Sequence, residues 1–175
     1  MIRKRWSVNT WLIAICVVVF VLNGFMENKL IAWLHFSTAD GFLGIQFWRF
    51  FGFQFLHASL SHLLFNMIAL YFFGPLVERY LGGKRYLAFY LLCGLFGAVL
   101  YMILNLGGVL AGKEVPGLLF NNIHQPLVGA SAGVFGVLIA GAYLAPKIKV
   151  LVFFILPMKL STMAYLLVGI AVWTV

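Results

Sequence analysis

Apolar residues form five long, nearly uncharged stretches along the chain, separated by short polar segments. A helix needs about 20 predominantly apolar residues to cross the hydrocarbon core of a bilayer, and these stretches approach that length. Backbone groups in lipid must find hydrogen bonds within their own segment, which favours helices. The pattern predicts five membrane-spanning helices: Val8–Met26, Leu63–Val77 (His57–Pro75 if its polar positions face inward), Tyr86–Leu106, Leu127–Ala145 and Leu160–Val175.

The connections between these stretches have patterns of their own. Glu27–Phe55 is too short for a domain and is crowded with tryptophan and phenylalanine. Aromatic residues at this density are typical of the headgroup level, so we predict a partly immersed interfacial loop. Glu78–Arg85 is predicted to be a turn between the second and third helices. Val150–Leu156 is apolar but too short to span and is closed by Pro157, which predicts a segment at the inner interface.

Composition excludes a soluble protein. The 175 residues are 64% hydrophobic and only 9% charged, with a mean hydropathy of +1.06, whereas soluble domains contain about 25% charged residues. The basic start of the chain is not followed by a small-residue cleavage site, so we predict no cleavable signal peptide. We expect residues 1–7 to be a short basic cytoplasmic N-terminus and residues 8–175 to form one polytopic membrane domain.

The net charge of +8 is explained by membrane topology rather than by binding to nucleic acid. With the N-terminus in the cytoplasm, nine Lys and Arg residues fall on the inner side and three on the outer side, which fits the positive-inside rule. The inner set is Arg3, Lys4, Arg5, Arg79, Lys84, Arg85, Lys147, Lys149 and Lys159, and the outer set is Lys29, Arg49 and Lys113.

Three polar residues within the apolar stretches are candidates for chemistry, because such residues at membrane depth are costly and usually functional. His62 and Asn66 have the i, i+4 spacing that places them on one helical face. Ser131 lies between glycines in the fourth stretch. Counted from the outer ends of their helices, His62, Ser131 and Asn66 lie roughly 4–5, 6 and 10 Å deep. If these helices are neighbours, a hydroxyl and two side-chain donors for an oxyanion share one level.

Each of these features also has a structural interpretation. Asn66 can join helices by hydrogen bonds, and His62 can be a core histidine with its own partners. Gly129 and Gly133 have the spacing of close helix packing, which Gly136 extends. A nucleophile elbow of the soluble hydrolases is excluded, because that motif needs a strand before the serine. His57 and His124, at outer helix ends, are expected to be interfacial. Cys16 and Cys93 lie within the spans and are expected to be packing residues.

In their order along the chain, these residues resemble the rhomboid family of intramembrane serine proteases, from about Trp48 to Val175. Trp48-Arg49 is similar to the W-R pair in the family's first outer loop. His57, His62 and Asn66 repeat its H-x4-H-x3-N pattern. Its G-x3-E-R element resembles Gly74, Glu78 and Arg79. Gly129-Ala130-Ser131 matches its G-x-S nucleophile site, with Ala132 where a second glycine is more usual.

The resemblance implies a role for each residue. Ser131 would be the nucleophile, and its backbone N–H would help to hold the oxyanion beside Gly129. His62 and Asn66 would be the side-chain oxyanion donors, with His57 close to the site. Structural roles would fall to the loop pair Trp48 and Arg49 and to the inner-end residues Gly74, Glu78 and Arg79.

The family's general base is a histidine on a sixth helix, which would begin after Val175. We therefore expect a chain that ends after five of six core helices and is inactive as given. The next helix would enter from the outer side and bring its first turns to the depth of Ser131. No carboxylate is positioned to complete a catalytic triad with Ser131. Glu27, Asp40 and Glu114 are in loops, and Glu78 is at the opposite face of the membrane. A Ser–His dyad is expected.

The sequence thus predicts an all-α, rhomboid-like helical bundle that cleaves transmembrane helices of other membrane proteins near their outer ends. No metal, cofactor or nucleic acid is implied, and the absence of H-E-x-x-H disfavours a metalloprotease. An inactive rhomboid-like protein that binds membrane clients is the alternative. A transporter or channel would show inverted repeats, and no repeat is found in the sequence.

Overall fold

A computed structural model describes residues 6–114 and 121–147, together with the short segments 149–152, 156–159, 161–163 and 165–166. Within these ranges the chain forms six α-helices and one small hairpin, and residues 161–163 and 165–166 are also helical. The helices are α1 (Val8–Phe25), α2 (Lys29–Leu34), α3 (Arg49–Gly52), α4 (Leu60–Leu81), α5 (Gly83–Ala111) and α6 (Ser131–Leu144), and the strands are β1 (Lys149–Val152) and β2 (Leu156–Lys159).

The long helices confirm the predicted helical bundle. In the described part of the chain, α1, α4 and α5 have 18, 22 and 29 residues and are apolar enough to cross a membrane. Helix α6 is apolar but has only 14 residues. The predicted fifth span, Leu160–Val175, lies largely outside the described residues.

The predicted length of the turn at Glu78–Arg85 is wrong, although the chain does reverse within this range, because both helices extend into it. Helix α4 continues to Leu81 and α5 begins at Gly83, so Gly82 alone connects them. Gly82 has φ +76°, a conformation that residues with a Cβ rarely adopt, and this allows the chain to reverse within one residue.

The predicted start of the fourth helix at Leu127 is also wrong. Leu127 forms an antiparallel bridge with Phe36, and Gly129 has φ +128°, which is incompatible with a helix. The helix begins only at Ser131. Its 14 residues are about 21 Å long, shorter than the roughly 30 Å hydrocarbon core. Ser131 is therefore the first residue of α6 and does not lie a turn inside it.

The loop between α1 and α4 contains more regular structure than the sequence predicts. Besides α2 and α3 it includes a π-helical segment, Thr38–Leu43, and a 3₁₀ turn, Phe53–Phe55. Part of the loop folds inward, where Phe36 and Phe53 form a small core with Ala98 of α5. Other large side chains are exposed, as expected of an interfacial loop, namely Trp33, Phe42, Leu43, Ile45, Phe47, Trp48 and Phe51. Its depth in the membrane stays a prediction.

The bundle is held together by α4, which contacts α1 on one side and α6 on another, while α5 packs on α6. The C-terminal end of α4 is joined to the start of α1 through polar contacts. A Cβ added at Gly74 would lie 2.1 Å from Asn9 Oδ1, so only glycine allows this approach. The Glu78 carboxylate accepts hydrogen bonds from the backbone N–H groups of Val8 (2.8 Å) and Asn9 (3.0 Å). An anion at a helix N-terminus is stabilising, so Glu78 secures the start of α1.

The hairpin follows α6. Strands β1 and β2 are antiparallel, with Lys149 opposite Lys159 and Val152 opposite Leu156. The segment Val150–Leu156, predicted to lie at the inner interface, therefore contributes residues to both strands. Its position relative to a membrane is untested.

Candidate functional site

Ser131 lies at the N-terminus of α6, where backbone N–H groups are available to bind an anion. The first N–H groups of a helix have no acceptor within the helix, and they carry its positive partial charge. Ser131 is half-buried. In the described part of the chain its hydroxyl has no hydrogen-bond partner. The segment before it is anchored to the interfacial loop, because the Gly129 N–H donates to the Phe53 carbonyl (3.0 Å).

The side chain of His62 lies against the backbone two residues before Ser131. A Cβ added at Gly129 would be 2.6 Å from His62 Cε1 and 2.8 Å from Nε2, so the glycine leaves the space that the imidazole occupies. This contact joins the first turn of α4 to the start of α6. The two helices are direct neighbours, as the arrangement predicted from the sequence requires.

The other glycines of this segment pack against α5. A Cβ at Gly133 would lie 2.7 Å from the Tyr90 ring, and one at Gly136 would lie 2.4 Å from Cys93 Sγ. The structural interpretation of the glycines therefore holds for Gly133 and Gly136. Gly129 differs from them, because it faces His62.

Asn66 is buried one turn below His62. Its Nδ2 donates to the His62 backbone carbonyl (2.8 Å), which fixes the orientation of the amide. A side-chain amide carries two N–H donors, so this bond leaves the second available for another acceptor.

His57 lies behind His62, with the two ring centroids 5.1 Å apart at an interplanar angle of 68°. Its side chain is 2% exposed, and neither ring nitrogen makes a well-formed hydrogen bond within the described residues. Burial lowers the pKa of His57 from 6.5 to about 4, with a smaller contribution from His62, while the Phe55 backbone acts in the opposite direction. His57 is therefore neutral near pH 7.

We expect His57 to make the folded protein sensitive to acid. Because its pKa is lowered in the folded state, the unfolded chain binds the proton first, between about pH 6.5 and 4. The free energy of unfolding should be constant above pH 7 and fall by up to about 3 kcal/mol across that range. SDS-induced unfolding in mixed micelles, followed from pH 4 to 8, measures this fall in the free energy of unfolding.

The matched variant for this titration is His57→Gln, which keeps a polar side chain but cannot titrate. Between pH 6.5 and 4, the free energy of unfolding of this variant should fall much less than that of the wild type. Parallel pH profiles for the wild type and the variant would show that His57 is not the group responsible.

The predicted loop pair lies apart from these residues. Trp48 is exposed and donates its Nε1–H to the Trp33 carbonyl (3.2 Å). Arg49 is buried, and its guanidinium donates to the carbonyls of Ala32 (3.1 Å) and His35 (2.8 Å), near the end of α2. Arg49 thus satisfies carbonyls that α2 leaves without partners.

The remaining motif residues lie at the other end of α4. Gly74 and Glu78 form the junction with α1 described above. Arg79 is exposed and makes no hydrogen bond or ion pair with any described residue. These residues are too far along α4 to touch Ser131, since Glu78 lies about 24 Å along the axis from His62.

Sequence reasoning missed the contacts that hold the Ser131 segment to the interfacial loop. These are the backbone bridge between Phe36 and Leu127 and the bond from Gly129 to Phe53. No local pattern marks them, because the partners are distant in the sequence and use only backbone groups. Among the described residues there is also no cluster of three His, Cys, Asp or Glu side chains able to hold a metal.

A comparison with protein families identifies one match. The model of the Rhomboid domain matches residues 44–175, which is more than half of the chain. The matched region begins in the interfacial loop and includes His57, His62, Asn66 and Ser131.

Proposed function

The chain belongs to the rhomboid family, and on this premise we propose that it is an intramembrane serine endopeptidase with Ser131 as its nucleophile. It is a multi-pass integral membrane protein, and the family consists generally of intramembrane serine proteases. The family alone does not distinguish a protease from an inactive member, so the proposal depends on the residues around Ser131.

The observation that carries the proposal is the contact between His62 and Gly129. It brings an imidazole to the start of α6, where the half-buried Ser131 has a hydroxyl without a partner among the described residues. A packing serine in an apolar helix usually returns its hydroxyl to a carbonyl of the preceding turn. At the first residue of α6 no helical turn precedes the serine, so this bond is not made.

The proposed reaction is acyl transfer. Ser131 Oγ attacks the carbonyl carbon of the substrate, and its proton passes to a general base. The negative charge that develops on the carbonyl oxygen is held by the Ser131 N–H, by the His62 ring and by the second N–H of Asn66. Each such donor is typically worth about 2.7–4 kcal/mol in the transition state. The peptide bond then breaks, the amine leaves with the proton, and water hydrolyses the acyl-enzyme.

A serine hydroxyl is a weak nucleophile without a base within hydrogen-bond distance. No histidine in the described residues makes a hydrogen bond to Ser131. We therefore assign the base to a histidine of a sixth helix beyond residue 175. That helix would enter from the outer side, next to the start of α6, and complete a Ser–His dyad.

The proposed substrates are transmembrane helices of other membrane proteins, reached through the lipid and cleaved near their outer ends. The positive-inside distribution of Lys and Arg supports a cytoplasmic N-terminus and a site that opens to the outer side. Peptide bonds within a helix are shielded, so we expect cleavage where small or helix-breaking residues let the substrate unwind.

The test is labelling of the full-length protein in detergent with a fluorescent fluorophosphonate, followed by peptide mapping. The proposal predicts a single adduct on the peptide that contains Ser131, because only an activated serine reacts quickly. Absence of an adduct, in a protein that remains folded, would favour the inactive client-binding alternative. An adduct on another serine would overturn the assignment of Ser131.

A further inference from the structure

Ala132 lies next to the proposed nucleophile but takes no part in the proposed reaction. It directly follows Ser131, at a position where a second glycine is more usual in the rhomboid motif. Ala132 is the second residue of α6, so its methyl group projects from the first turn of that helix. A neighbouring segment therefore has to make room for this methyl group beside the site.

The neighbour that makes this room is Gly97 of α5. A Cβ added at Gly97 would lie 2.6 Å from the Ala132 Cβ, whereas two carbon atoms in good contact are about 3.5–4.0 Å apart. Apart from the nearby backbone of its own helix and its two chain neighbours, no other atom of the described residues lies within 4 Å of that position. Gly97 and Ala132 are therefore complementary, because one lacks the methyl group that the other carries.

An overlap at this position cannot be relieved by the rotation of a side chain. The Ala132 Cβ is bonded directly to the backbone, and no side-chain torsion of alanine moves it. Packed interiors have low compressibility, so an additional methyl group in such a contact shifts the backbone. To bring two methyl carbons from this overlap to an ordinary contact distance, the helices must separate by about 1 Å.

Helix α5 is held at this level by contacts with the interfacial loop. The buried Gln54 side chain of the loop occupies the space that a Cβ at Gly94 would need. Ala98, which follows Gly97, is completely buried in the small core that α5 forms with the loop. The first turn of α6, in contrast, is the end of a helix and follows a non-helical segment. We therefore expect an overlap to displace the first turn of α6 rather than α5.

A displacement of this turn would change the geometry of the proposed site. Ser131 and its backbone N–H directly precede Ala132, and Gly129 lies against the His62 ring. The proposed oxyanion donors His62 and Asn66 belong to α4, which is not part of the displaced segment. The distance from the Ser131 hydroxyl to these donors therefore depends on where the first turn of α6 lies.

We propose that Gly97 is a positioning residue for Ser131. Because it leaves room for the Ala132 methyl group, the first turn of α6 approaches α5 closely, and this sets the place of the nucleophile relative to His62 and Asn66. Gly97 itself does not touch the reacting atoms. This role rests on the proposed function, since it concerns the geometry of that reaction.

The experiment is a double-mutant cycle on the full-length protein, reconstituted with a transmembrane substrate in vesicles. It compares the wild type, Gly97→Ala, Ala132→Gly and the double variant. Gly97→Ala should lower kcat by about 10–100-fold with KM nearly unchanged, because a misplacement of about 1 Å at a reacting group is costly. Ala132→Gly removes a methyl group without creating an overlap, so its kcat should stay within about threefold of the wild type. In the double variant the overlap is absent, and kcat should return to within about threefold of that of Ala132→Gly.

Thermal unfolding in detergent, followed by tryptophan fluorescence, measures the contact independently of activity. Gly24→Ala is the matched control, because Gly24 is also a helical glycine and a Cβ there would meet no described atom within 4 Å. This control should retain kcat, and its Tm includes the gain in helix propensity that replacement of glycine by alanine brings. Relative to Gly24→Ala, Gly97→Ala should lower the Tm by about 2–6 °C. The double variant should have a Tm within about 2 °C of that of Ala132→Gly.

The rescue by Ala132→Gly decides between a positioning role and a general defect. A kcat of Gly97→Ala close to that of the wild type, or a loss that Ala132→Gly does not restore, would overturn the proposal. A double variant that does not fold would also overturn it, because the overlap with Ala132 would then not be the cause. If the wild type does not cleave the substrate, the proposed function itself has failed. Cleavage by the wild type without rescue in the double variant shows that the positioning role alone has failed.

Discussion

Replacement of Ser131 with alanine is expected to abolish cleavage of a transmembrane substrate while the protein stays folded. The substitution removes the atom that forms the acyl-enzyme, so the rate should fall by at least about four orders of magnitude. Its structural cost should be small, under about 1 kcal/mol. The hydroxyl has no partner in the described part of the chain, and alanine is a good helix former. Reconstitution of the full-length protein with a substrate in vesicles, with products resolved on gels, measures the loss.

Ser61→Ala is the matched control, because Ser61 is also a serine in the first turn of a neighbouring helix, exposed where Ser131 is half-buried. It precedes His62, and its hydroxyl makes a hydrogen bond with the Ser59 hydroxyl (3.1 Å). This variant should retain most of the activity. Cleavage by Ser131→Ala at a rate close to that of the wild type would rule out Ser131 as the nucleophile, whatever the result with Ser61.

The second large effect concerns the two side chains assigned to the oxyanion. His62→Ala and Asn66→Ala should each lower kcat by about 10²–10³, with KM nearly unchanged. Their proposed bonds form fully only when the carbonyl oxygen carries charge, so they stabilise the transition state more than the bound substrate. Steady-state kinetics with the reconstituted substrate separates kcat from KM.

The effects of these two substitutions should not add. Both side chains are proposed to donate to the same developing charge, so the double variant should lose less than the product of the single losses. His124→Ala is the control for a histidine that is exposed in a loop. A rise in KM with kcat unchanged would show that His62 and Asn66 bind substrate rather than the oxyanion.

The glycine-rich segment around Ser131 serves two purposes. Gly133 and Gly136 leave room for Tyr90 and Cys93 of α5, and this is helix packing. Gly129 instead leaves room for His62 and holds the backbone at φ +128°, which stops the helix from starting earlier. One short stretch therefore brings α6 close to α5 and exposes the serine at the helix end.

Much of the helical architecture was predictable because the hydrocarbon core requires long apolar helices. Helix α1 matches its prediction to within one residue at each end. The junction of α4 with α5 and the start of α6 were predicted poorly, because single glycines decide them. Gly82 and Gly129 each adopt a positive φ, which interrupts the helix at these residues.

The candidate site was predictable to the extent that its residues are local in the sequence. The i, i+4 spacing places His62 and Asn66 on one face, and the family resemblance orders them relative to Ser131. The attachment of this site to the interfacial loop was not predictable. Phe36 and Leu127 are distant in the sequence and bridge through backbone atoms, which every residue other than proline possesses.

The sequence by itself determined that this protein is a helical membrane protein with three polar residues of the right types within its apolar stretches. This was possible because burying a charge or an unpaired backbone group in lipid is costly, and the type of each residue shows whether it carries that cost. Only the tertiary structure decided that the His62 ring lies against Gly129, that Ser131 begins its helix, and that Glu78 accepts hydrogen bonds from the start of α1. These facts depend on packing between distant segments, and such packing depends on the shapes of both surfaces in contact.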